Sequence, residues 1–413
     1  GMLQDAVFHP GSDLPMWRGD DPWHPLDLLL LDNCLLNART GETRIHTADF
    51  LGTNFIPVAY DPSVSCPTWL RCLDEWWAGQ PDELAVLQEW FGLNLTADTS
   101  FHKALILKGE KRSGKGTMTW VLEQLVGKPN VCYPTLTGLG ERFGLEPLLH
   151  KLVAVVGDAR QAASGSRVLL TERLLGVIGE DPQIVDRKGI AALPAVHLRT
   201  RFTILSNEVP TFSDSTGVVA SRFLLLIQKP SVSFFGKEDH DLKSKLALEL
   251  PGILNWALAG LARLRERGRF VVPEASETAA RDMEIAGSSF LGWWSKATSP
   301  DATRDVEKEA LYPHYAVWCS ANGYAAEASG KFWQRIKDRE AKGEIAEVKL
   351  RRGEHRVRVM RGRALDACDI EDLAERWEAE ARRCGGRHDI YAAFRDAPCG
   401  LPNCDARCRA FPF

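Results

Sequence analysis

Along this 413-residue chain, apolar positions fall into two kinds of run, and their order predicts the architecture. Short continuous runs, as expected of strands covered on both faces, occur at Ala104-Leu-Ile-Leu107, Leu152-Val-Ala-Val-Val156, Phe202-Thr-Ile-Leu205 and Phe223-Leu-Leu-Leu-Ile227. Helical spacing appears at Trp69, Leu73, Trp76 and Trp77, then at Leu84, Leu87, Trp90 and Phe91. It returns at Val121, Leu122, Leu125 and Val126, and another helix opens at Pro251, where proline suits the first turn. Strands alternating with helices from about residue 100 to 270 argue for a parallel α/β sheet. Upstream, residues 31–42 predict a hairpin turning at Thr40-Gly41.

Beyond the sheet region, residues 269–276 read as a linker. Tyr312, Tyr315, Trp318 and Cys319 mark one helix, and Phe332, Trp333 and Ile336 a second. Residues 344–360 read as a two-stranded ribbon turning at Arg352-Gly353, and helices followed by a ribbon suggest a winged-helix module. The predicted division is a helical accessory domain over 1–99, an α/β domain over 100–270, a winged-helix-like domain over 271–363 and a Cys-rich tail over 364–413.

Composition narrows the class. An apolar fraction of 45% and a charged fraction of 26% are those of a globular protein. The net charge of −4 offers no global attraction for nucleic acid, so any such attraction must be local. One local cluster exists: Lys349, Arg351, Arg352, Arg356, Arg358, Arg361 and Arg363 crowd the ribbon, opposed within it by Glu354. That density suits phosphate neutralisation, with a solvated hairpin as the competing reading. The run Leu26–Leu31 is too short and too acid-flanked for a signal peptide or membrane span, so the cytoplasm is the expected compartment. Gly1 before Met2 reads as a residue left by processing. Ten cysteines in such a chain read as reduced thiols. Cys384, His388, Cys399, Cys404 and Cys408 could supply zinc ligands, but their spacing lacks tight C-x₂-C knuckles, and a tail with free thiols is the competing reading.

The densest chemistry lies at Gly109-Glu110-Lys111-Arg112-Ser113-Gly114-Lys115-Gly116-Thr117, between an apolar strand and a helix. A triphosphate needs closely approaching N–H donors, which Gly109 and Gly114 permit, a helix N-terminus and a point charge, here Lys115. Gly116 stands where Ser or Thr would ordinarily ligate Mg²⁺, and Thr117 comes one residue late. Asp158 follows the 152–156 strand, where open α/β sheets place ligands, and Ala159 beside it leaves one carboxylate instead of two. Asn207 follows the 202–205 strand and could bond a γ-phosphate and a water, or form a turn before Pro210. Arg222 precedes the last strand, as an arginine finger or an ordinary surface charge.

Taken together, these motifs resemble the C-terminal helicase region of phage and plasmid primases, a branch of the superfamily 3 helicases within the AAA+ ATPases. The resemblance spans roughly residues 25–363 and includes Gly179-Glu-Asp-Pro-Gln-Ile-Val-Asp-Arg-Lys188 and Pro251–Gly260. It implies a P-loop AAA+ core in which residues 109–117 bind ATP, Thr117 and Asp158 serve Mg²⁺, Asp158 acts as Walker B acid and Asn207 as sensor. It further implies that Arg222 enters a neighbouring subunit's site in a ring, typically a hexamer, around single-stranded or forked DNA. Arg187 and Lys188 would touch DNA from a hairpin in the channel, and Arg351, Arg352, Arg356 and Arg358 from the ribbon. Glu180 stands where that family often has a second glycine. The chain starts inside the helicase-associated region, which suits a piece of a primase-helicase or a helicase that recruits a separate primase. The expectation is therefore an ATP-dependent DNA helicase. A DNA-replication initiator or scaffold that binds ATP without unwinding is the alternative, and a small-molecule kinase leaves the 179–188 element and the basic ribbon unexplained.

Overall fold

The computed structural model describes residues 14–157, 167–210, 212, 218–352 and 355–365. Two compact units divide the chain, Gly1–Met283 and Glu284–Phe413.

The first unit is built on five strands: β1 (Ala104–Lys108), β2 (Val131–Cys132), β3 (Val153–Val156), β4 (Arg201–Ser206) and β5 (Phe223–Ile227). Their order is β5-β1-β4-β3-β2, and every neighbouring pair is parallel. Nearly every strand residue is buried, which is why the strands are largely apolar, the exceptions being Lys108 in β1 and the buried Arg201, Thr203 and Ser206 in β4. Successive side chains feed opposite cores: Leu105, Leu107, Val153, Val155, Leu224 and Leu226 enter one. Ala104, Ile106, Ala154, Val156, Phe202, Ile204, Phe223 and Leu225 enter the other.

The first core is roofed by α1 (Pro67–Trp76), α2 (Pro81–Asn94), α3 (Lys115–Val126), α4 (Leu242–Leu248) and α5 (Leu250–Arg267). Prolines open α1, α2 and α5, and α5 closes on Gly268 at φ 72° after Arg265 and Arg267 in its last turn. The residues expected to form separate accessory and α/β domains thus lie in one compact unit and share this core. The hairpin at Thr40-Gly41 is present, between strands Leu35–Asn37 and Thr43–Arg44, with Gly41 at φ 77°.

The stretch 269–276 differs from a plain linker. Phe270 is buried against Trp90 and Phe101, and α6 (Glu274–Gly287) has already begun at Glu274. The Phe270 ring gains more from burial than a plain linker provides, while Val271 and Val272 stay exposed.

The second unit holds α7 (Ser289–Lys296), α8 (Lys308–Ala321) and α9 (Ser329–Ala341) with strands β6 (Thr298–Glu307), β7 (Ala346–Arg352) and β8 (His355–Leu365). The sheet order is β6-β8-β7, antiparallel throughout. Its core is aromatic: Phe290, Trp293, Trp294, Tyr315, Trp318 and Phe332 pack with Ile336 and Met360. Ser288 caps α7 by accepting from Leu291 N at 3.3 Å. β6, with seven polar or charged residues in ten, went unpredicted because its sequence carries no alternating apolar pattern.

Candidate nucleotide site

β1 delivers the chain to the 109–114 loop and α3 leaves from it. Gly114 caps α3 at φ 90°, and a Cβ there would stand 2.6 Å from the ring of Trp76 on α1. Both facts require glycine. Arg112 also takes a positive φ, 59°, and its guanidinium pairs with Glu238. The loop opens on a cavity of about 640 Å³, lined on this side by Lys111–Thr117 and on the sheet side by Gly157, Ser206 and Asn207. That cavity lies at the carboxyl ends of the strands, where an open parallel sheet leaves room for a ligand.

Lys115 Nζ donates to Gly109 O at 2.6 Å, Glu110 O at 2.7 Å and Asn207 Oδ1 at 3.3 Å. Burial lowers its pKa, and the nearby Glu110 charge opposes that shift. Asn207 reaches this point because β4 lies next to β1, with Ser206 paired to Lys108. An ammonium ringed by neutral acceptors at a helix N-terminus is well suited to exchange them for phosphate oxygens.

Of the hydroxyls on the first turns of α3, Thr119 bonds Lys115 O and Gly116 O, both at 3.3 Å, while Thr117 lines the cavity. A Cβ added at Gly116 would meet nothing within 4 Å. Asp158 lies outside the described residues; Gly157 before it lines the cavity.

Arg222 is not brought into this cavity. Phe223 pairs with Ala104 and Ile227 with Lys108, so Arg222 sits at the amino end of β5, opposite the loop. At about 3.3 Å per residue the separation along the strand is roughly 15–20 Å. There it neighbours Lys103, whose ammonium donates to Ser221 O and whose pKa is lowered by burial and then by the Arg222 charge.

Arg187 ends the first strand of an antiparallel hairpin, Gln183–Arg187 with Ile190–Val196, and Lys188 lies in its turn. Arg187 Nε donates to Ala191 O at 2.9 Å, and Lys188 is exposed. In the ribbon, Arg351 and Arg358 are exposed, with Arg358 3.7 Å from Glu347. The side chains of Arg352 and Arg356 lie outside the described residues. Arg361 and Arg363 are committed elsewhere. Arg361 pairs with Asp305 at 2.8 Å, and Arg363 donates to Trp294 O at 2.7 Å while stacking on the Trp294 ring at 4.3 Å. The basic cluster is therefore partly structural.

Sequence reasoning missed the far wall of the cavity, formed by Arg71, Glu75, Phe234, Asp239, Leu242 and Lys243. These come from α1, α4 and the loop before α4, and no spacing links them. Trp76 was legible as core, which it is at 3% exposure, but not as the floor under Gly114.

Two family models match parts of this chain. One, described as "D5 N terminal like", covers residues 21–78; the other, a family of unknown function designated DUF5906, covers 107–222 and so includes the loop, Asn207 and Arg222. An uncharacterized mitochondrial protein of Marchantia polymorpha, ymf21, is 29% identical over 96 residues, 23% of this chain. The chain spans about half, 53%, of that relative's length. Among solved structures, the apo C-terminal region of NrS-1 aligns at a TM-score of 0.48 and 14% identity, covering 83% of each chain. The JCV helicase aligns at 0.31 and 13%, covering 55% of this chain and 66% of its own.

Proposed function

We propose that this chain is an ATP hydrolase that drives movement along DNA, a P-loop AAA+ helicase of the phage-primase type working as a ring, probing its substrate with the 183–196 hairpin and a winged-helix-like second unit. The observation that carries this reading is the convergence of Lys115 and Asn207, 3.3 Å apart, on one cavity while Arg222 stands at the opposite end of the sheet. A site so built has a phosphate cradle and a polar amide; Arg71 and Lys243 also line it, and in this reading Arg222 of another copy supplies the cation set against transition-state charge. The "D5 N terminal like" match over 21–78 supports the reading, since the sequence resemblance begins in the same region.

The residues suit a nucleoside triphosphate: a left-handed glycine cap, a helix N-terminus and a shared ammonium on one cavity. Mg²⁺ in such sites takes one or two protein ligands plus phosphates and water, so a cage of three acidic or imidazole groups is not required, and none forms among the described residues. Thr117 and Asp158 would hold it, and bound Mg²⁺ would offset phosphate charge. Lys115 orients the phosphates, Asn207 positions a water by hydrogen bonding, and Arg222 acts in trans on the neighbour's nucleotide. DNA-stimulated ATP hydrolysis and strand displacement on a forked duplex test the proposal. Lys115→Ala abolishes both; displacement unaffected by Lys115→Ala would refute it.

Gly116 favours a second reading, a replication scaffold that binds ATP and DNA without unwinding and works beside a separate primase. ATP and DNA binding with no strand displacement would select it.

A further inference from the structure

Given the ATP site proposed above, we infer that Gln228 is a positioning residue that sets the phosphate loop, and that the turn between α1 and α2 braces it. Gln228 follows β5 directly and is 3% exposed. Its backbone N–H donates to Lys108 O at 2.9 Å, carrying the β5–β1 ladder one step further, to the root of the loop. Its side chain then enters the loop. Ser113 Oγ donates to Gln228 Oε1 at 2.6 Å, and Gln228 Nε2 donates back to Ser113 O at 2.9 Å. The same amide oxygen lies so close to Gly109 that a Cβ there would overlap it. One side chain thus meets both the first residue of the loop and the residue before the Gly114 cap.

The brace comes from the outer edge of β5, an edge strand. Gln80, in the turn after α1, donates from Nε2 to Ile227 O at 2.8 Å and accepts from Lys229 N at 3.2 Å. Its amide takes the place of a neighbouring strand on either side of Gln228. Lys229 Nζ adds a bond to Ala78 O at 2.7 Å in the same turn, and Gln228 Nε2 reaches Trp76 O at 3.4 Å.

Gln228 does not line the cavity, so it acts on a nucleotide through the loop alone. A loop that already holds its bound shape spares the ligand the cost of ordering it. Loss of the paired bonds should therefore weaken triphosphate binding more than it slows the chemical step.

The test is titration of a fluorescent ATP analogue with Mg²⁺ into the full chain and into Gln228→Ala, Ser113→Ala, the double variant and Gln80→Ala, with thermal unfolding of each. Gln228→Ala should bind about tenfold more weakly, from two lost hydrogen bonds. Ser113→Ala should show a smaller loss, and the double variant should be no weaker than Gln228→Ala, because both remove one linkage. Steady-state turnover by Gln228→Ala should show a raised KM with kcat within about twofold, the reverse of Arg222→Ala. Wild-type affinity in a folded Gln228→Ala chain overturns the inference, as do losses that multiply in the double variant. Where Gln228→Ala does not fold, Ser113→Ala decides: unchanged affinity overturns the inference. A wild-type chain that binds no analogue overturns the ATP-site reading, and this inference with it.

Discussion

Two glycines in the loop do opposite work, and substitution separates them. Gly114 sits in the left-handed region with Trp76 against it, so Gly114→Ala should cost at least about 1–2 kcal/mol from backbone strain alone, seen as a lower unfolding midpoint. Gly116 lies in the first turn of α3 with open space where a side chain would be, so Gly116→Ala should be neutral or stabilising by up to about 1 kcal/mol. Gly116→Ser goes further: it adds a hydroxyl beside Thr117 and should lower the Mg²⁺ concentration needed for half-maximal turnover. A higher requirement would remove Mg²⁺ from that turn. The loop-to-helix junction at Gly114 and Lys115 was legible because it is local, with its glycines and lysine at close spacing in the sequence. Gln228 and Gln80 were not, since a buried amide is assigned only when folding brings residues 80, 113 and 228 together.

At the scale of elements, strands buried on both faces announced themselves as largely apolar runs, and all four longer ones lie where their runs predicted. β6 carries a polar sequence and is held by its pairing with β8, so nothing local marks it. The basic ribbon shows the limit of counting charges. Seven cations crowd one stretch of sequence, yet Arg361 pairs with Asp305 and Arg363 locks β8 to the end of α7. Arg363→Ala should therefore destabilise the second unit by about 2–3 kcal/mol, through lost charge-assisted bonds and stacking, with little change in the salt dependence of DNA binding. Arg358→Ala should do the opposite, leaving the unfolding midpoint in place and flattening the log–log salt slope by about 0.7–0.9. For the 183–196 hairpin, Arg187 is partly spent on Ala191 O while Lys188 is exposed. Lys188→Ala should lower the ratio of DNA-stimulated to basal hydrolysis; an unchanged ratio would remove the hairpin from the DNA path.

For the whole molecule, the polarity of the sheet makes the strongest demand. Parallel strands put Lys115 and Asn207 at one end and Arg222 at the other, so under the proposed ring one chain would hold halves of two different sites. The measurement that tests this most directly is ATP hydrolysis by mixed variants. In the proposed ring, Lys115→Ala would lack a working phosphate loop but keep its finger, and Arg222→Ala would bind ATP but lose roughly 10³-fold or more in hydrolysis, as fingers elsewhere do. Each alone should be inactive, and mixing the two should restore hydrolysis, because an intact loop on one chain then meets an intact arginine on the next. Near-normal turnover by Arg222→Ala alone, or no recovery on mixing chains shown to co-assemble, would contradict the shared site.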